Sequence, residues 1–88
     1  MKIKDGFVTR KIGDKILAVA VGERSRQFNG MITINETAQF IWKCLEKETT
    51  TPQVVEKVMK QYSIDEQTAT QAVENFISEL KQNELLDE

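Results

Sequence analysis

The hydrophobic rhythm of this chain changes once, at Asn35, and that change limits the folds open to it. Before it, apolar residues fall in short β-rich runs, Phe7 to Ile12, Ile16 to Val21 and Met31 to Ile34. After it they recur at the spacing of one helix face, beginning with Ala38, Ile41, Trp42 and Leu45 at i, i+3, i+4 and i+7. A strand-bearing front followed by a helical back predicts an α+β fold with the two classes segregated along the chain. With 88 residues there is room for one core, so residues 1–88 are expected to form a single domain.

Local signals divide the two halves. Gly13-Asp14 lies between the first two runs and reads as a tight hairpin, because glycine accepts positive φ and aspartate can bond its own backbone. Gly22 to Gln27 is polar and without period, an expected exposed loop, and Asn29-Gly30 reads as the turn into a short third strand. Its shortness suits a sheet edge. Asn35 is placed as the N-cap of the first helix, Thr51 as the cap of a second that begins Thr-Pro, and Asp65 as the cap of a third. Val55, Val58, Met59 and Tyr62 form the expected stripe of the second helix. Ala69, Ala72, Val73, Phe76, Ile77 and Leu80 form that of the third. Asn83 stands where a left-handed residue would close the third helix, and Leu85-Leu86 can fold back on its end. The expected architecture is therefore winged-helix-like, a small three-stranded antiparallel sheet followed by a three-helix bundle.

The inventory argues against catalysis. Without histidine, and with Cys44 as the one cysteine, the chain lacks the commonest general base, any Cys/His pair and any recognisable metal-ligand spacing. No catalytic residue, metal or cofactor is expected. Cys44 has no partner for an intramolecular disulfide, no apolar run approaches a membrane span, and the first residues lack the apolar core of a signal peptide. A cytoplasmic protein is the expectation, with no membrane association.

Charge is uneven. Residues 1–43 hold eight bases against four acids, whereas residues 44–88 hold four against ten. The element order suggests a winged-helix nucleic-acid binder, but the third helix presents Glu66, Glu74 and Glu79 against Lys81, a face that repels phosphate. Nucleic acid is accordingly not an expected partner, and DNA binding stands as an alternative resting on element order alone.

The stretch Phe28-Asn29-Gly30-Met31-Ile32-Thr33-Ile34-Asn35-Glu36-Thr37-Ala38, followed by Phe40-Ile41-Trp42, closely resembles the PqqD-like family of precursor-peptide recognition elements. The similarity extends to the hairpin, the Thr-Pro helix start, Tyr62-Ser63-Ile64-Asp65 and the closing Phe76 to Leu86 segment. Ile34 stands where leucine is common and Asn83 where glycine is usual. The resemblance implies a non-catalytic module that captures the leader of a ribosomally made precursor peptide and presents it to a modifying enzyme, often a radical enzyme using S-adenosylmethionine. In that family the leader adds as a strand beside the third strand and lies against the third helix.

On these residues the implied mechanism is physical: a short edge strand offers unpaired N–H and C=O groups, and pockets beside it read alternate side chains. The candidate peptide-binding residues are Phe28, Met31, Ile32, Thr33 and Ile34, with Ala69, Val73 and Phe76 opposite. Apolar residues at helical spacing line cores more often than grooves, and the strand face that meets the peptide is left open by the sequence. So is the sign of charge in the leader, since the acidic third helix favours Lys or Arg and the basic front favours Asp or Glu. An open edge also permits two copies to pair as a homodimer. A structural subunit of an enzyme complex, without peptide affinity of its own, is the remaining alternative.

Overall fold

A computed structural model describes residues 1–22 and 31–87. Its elements run β1 (Lys2–Ile3), β2 (Phe7–Ile12), β3 (Lys15–Ala20), β4 (Met31–Ile34), α1 (Glu36–Cys44), α2 (Thr51–Tyr62), α3 (Glu66–Gln82) and β5 (Leu86–Asp87). The expected α+β arrangement is present: an antiparallel sheet ordered β2-β3-β4, then three helices. The predicted third strand is β4. The predicted loop from Glu23 onward, the Asn29-Gly30 turn and Phe28 lie outside the described residues.

The hairpin forms at Gly13-Asp14, with Ile12 paired to Lys15 and Gly13 at φ 62°. Only the first of the two central residues has positive φ, a conformation that glycine adopts without steric cost. Pleating then sorts the side chains. Phe7, Ile16, Ala18, Ile32 and Ile34 are buried on the helices, while Val8, Met31 and Thr33 remain exposed on the other face.

Each helix begins on a side-chain cap. Asn35 Oδ1 accepts from the Ala38 amide at 2.7 Å, and Asp65 Oδ1 accepts from the Thr68 amide at 2.7 Å. The α2 cap is Thr50 rather than Thr51. Thr50 Oγ1 accepts from the Gln53 amide, and the Thr50 amide donates back to Gln53 Oε1, a reciprocal box that a cap at Thr51 would lack. Val54, absent from the predicted stripe, is fully buried, and Tyr62 is exposed with its ring edge-on to Phe40.

The end of α3 also differs from expectation. Asn83 has φ −98°, and the left-handed residue is Glu84 at φ 61°. The Leu85 amide donates to the Leu80 carbonyl at 2.9 Å and the Glu84 amide to the Lys81 carbonyl at 3.1 Å, the paired bonds of a Schellman closure. The motif shifts the left-handed position one residue on because it brings Leu85 down onto Leu80, and both are fully buried. The chain then pairs Leu86 with Ile3 and Asp87 with Lys2. This two-residue ribbon was too short to be visible as alternation. Amides of Ile3 and Lys4 donate to the carbonyls of Leu45 and Leu85, both at 2.8 Å, so the front of the chain is stitched to the ends of α1 and α3.

Two stability predictions arise here. Glu84→Gly should raise unfolding free energy by about 1 kcal/mol in urea titration, because a side chain at left-handed φ carries a steric penalty that glycine does not. Leu85→Ala should lower it by about 3 kcal/mol, the ordinary cost of emptying a fully buried leucine site. Asp65 supplies a pH signature. Its hydrogen bonds from Thr68 hold the carboxyl below the usual range, so its contribution is present above that range and is lost as pH falls through the lowered value. Asp65→Asn, read by thermal melts from pH 7 downward, should flatten that part of the acid limb.

Candidate peptide-binding groove

Among the described residues, β4 pairs on one side only. Its four residues pair with β3, Ile16 opposite Ile34 and Val19 opposite Met31, and among the described residues no strand joins its other edge. In an antiparallel pair, successive residues aim their N–H and C=O groups to opposite sides, so two alternate residues of β4 present theirs outward. Ile32 and Ile34 anchor the strand in the core, leaving Met31 at 64% exposure.

Beside the C-terminal end of this edge lies an open groove of about 340 Å³. One wall is Thr33, Ile34 and Asn35, continuing into Thr37, Ala38 and Ile41 of α1. The other is Ala72, Asn75, Phe76 and Glu79 of α3. The four α3 residues fall at i, i+3, i+4 and i+7, so they form one continuous stripe along the helix. Its apolar members, with Ala38 and Ile41, give a greasy floor, and Ala72 is small enough to keep the walls apart. Asn75, Thr37 and Glu79 supply polar groups along it.

The positive end of α1, which opens into this groove, is already answered. Asn35 takes the Ala38 amide, and Glu36 sits in the first turn. Glu79 is the one ionisable residue among the groove's lining. Its backbone carbonyl is occupied by the Asn83 amide and side chain, while its carboxylate forms no ion pair with a described lysine or arginine.

The residues singled out from the sequence divide four ways. Thr33, Ile34 and Phe76 line the groove. Met31 and Ile32 lie on the same strand, Met31 facing outward and Ile32 buried. Ala69 and Val73 have no exposed surface and pack in the core, one face away from the groove stripe, while Phe28 falls outside the described residues. Sequence reasoning missed Asn75, Glu79 and Thr37. The signal for Asn75 and Glu79 was the polar flank of α3, shifted by about 100° from the core stripe, which periodicity alone assigns to solvent, and Thr37 borders the stripe of α1 in the same way.

A second groove, between α1 and α2, is lined by Phe40, Cys44 and the lysines at 43, 47, 57 and 60. Burial pushes the Cys44 thiol up, against a smaller opposing effect of Lys57, which disfavours the thiolate a nucleophile needs. Among the described residues no three His, Cys, Asp or Glu side chains converge as a metal site would require, and no helix is long and apolar enough to cross a membrane.

Two solved structures share this fold. TbiB1, in complex with the TbiA(beta) leader peptide, superposes with a TM-score of 0.74 at 24% identity, covering 99% of this chain and 95% of its own. A lasso peptide synthetase B1, complexed with the leader peptide, superposes with a TM-score of 0.71 at 14% identity, covering 96% and 93%. No curated protein matches the sequence significantly. The family model for coenzyme PQQ synthesis protein D matches residues 17–86, a span that holds β4, all three helices and both walls of the groove, and the chain therefore belongs to the PqqD family.

Proposed function

We propose that this protein is a non-catalytic recognition module that captures the leader segment of a ribosomally made precursor peptide by strand addition to β4, with leader side chains resting in the groove against α3. The observation that carries the reading is the juxtaposition of a strand edge left open among the described residues with an apolar-floored trough beside it. Backbone pairing supplies affinity that does not depend on sequence, and the trough reads alternate side chains. The similarity in fold to two proteins solved with leader peptides supports it.

Thr33, Ile34 and Phe76 are the proposed contacts from the original set. Met31 contributes through the strand backbone, and Ile32, Ala69 and Val73 hold the two walls in place from within the core. Ala72, Asn75 and Glu79 join the contacts. The expected second partner is a modifying enzyme to which the bound leader is presented, a radical S-adenosylmethionine enzyme being the class common in the family. The nucleic-acid alternative is disfavoured by the exposed acids of α3, Glu66, Glu74 and Glu79, which would face phosphate with Lys81 as the helix's single base.

The test is calorimetric titration with the leader half of a short peptide encoded beside this chain's gene, expected to bind at micromolar affinity or better. In the same complex, amide exchange should show two alternate β4 amides that exchange freely without peptide and become protected with it. Absence of heat together with unchanged β4 amides would reject the proposal. Thr33→Pro separates the geometries. If the Thr33 amide faces outward, the variant folds and loses leader affinity at least tenfold; if it faces β3, the variant is destabilised and the protected amides are those of Ile32 and Ile34.

A further inference from the structure

Resting on the leader-capture reading, we infer that the captured segment carries a lysine or arginine that sits opposite Glu79, on the same face of the added strand as an apolar residue seated over Phe76. The sequence alone left the sign of the leader's charge open, because the basic front and acidic back pull opposite ways. Among the described residues, no base lines the groove. Arg10 and Lys11 belong to β2, which lies two strand spacings, about 10 Å, from β4, Lys15 begins the intervening β3 without lining the groove, and Arg24 and Arg26 lie outside the described residues.

The groove side is different. Glu79 is the ionisable member of its lining, and the surface continuing along α3 past Asn75 adds Glu66 and Glu74 with no base. The feature that would have favoured an anion, the α1 N-terminus, is countered by the Asn35 cap on the Ala38 amide and by Glu36 in its first turn. A strand laid along β4 points every second side chain the same way, about 7 Å apart. Phe76 and Glu79 are three residues apart on α3, about 4.5 Å along its axis. A long cationic side chain two residues from the apolar one spans the difference, with its methylene stem over the groove and its charge at Glu79.

The experiment is a positional scan of the synthetic leader encoded beside this gene, each residue replaced in turn by Lys, Gln and Glu, titrated against the wild-type protein, Glu79→Gln and Glu79→Lys. Glu79 is exposed and its side chain caps nothing, so both variants should fold as the parent does. One leader position is expected to prefer Lys over Glu by about fivefold to tenfold, the scale of a partly solvated charge pair turned from attraction to repulsion. That preference should vanish with Glu79→Gln, invert with Glu79→Lys, and shrink as ionic strength rises from about 0.05 M to about 0.5 M. A leader that binds but lacks any cation, or whose charge preferences are the same on all three proteins, overturns the inference and leaves leader capture intact. A leader that binds none of the three proteins removes leader capture itself, and this inference with it.

Discussion

Ile32 and Ile34 hold β4 to the helices, and everything the molecule offers a partner depends on that anchoring. A strand of four residues paired on one side is marginal by itself. Burying two of its side chains fixes its position, so that the groups on its free edge are presented in one plane rather than fluctuating. The cost of ordering that edge is met when the domain folds, and on the proposed reading a peptide pairing with it would order only itself. Strand anchoring and the proposed peptide affinity would thus be coupled through the core.

The trough beside the edge follows from how α3 divides its faces. Ala69, Val73, Ile77 and Leu80 fix the helix in the core, and the neighbouring stripe of Ala72, Asn75, Phe76 and Glu79 is turned toward β4. Phe76 belongs to both, buried for most of its surface yet lining the groove. Such shared residues make the site rigid, because its floor is the outer surface of the packed interior. The polar groups above that floor can then vary between relatives without endangering the fold.

Most of the fold was legible because its signals are local. The period change at Asn35, the Gly-Asp turn and the Asn35 and Asp65 caps each concern residues within a turn or two of one another. What escaped depended on distant partners. Thr51 read as well as Thr50 for a cap until Gln53 chose between them by bonding back. Asn83 was the better left-handed candidate in isolation, but burial of Leu85 on Leu80 decided for Glu84. The groove was legible as a strand and a helix, but of its lining only Thr33, Ile34 and Phe76 stood among the expected residues. Periodicity identifies what is buried, whereas groove residues lie at the border of that stripe, where Thr37, Asn75 and Glu79 look like ordinary surface.

The pairing of Lys2 with Asp87 has an architectural consequence. Because the first and last strands run side by side, the places where the polypeptide comes in and leaves are neighbours, within about 5 Å across the ladder. A unit built this way can be carried as a cassette in an exposed turn of a bigger polypeptide, or tethered by either terminus, without prying its halves apart. The proposed recognition surface could therefore travel between assemblies of different size while its interior stays unaltered.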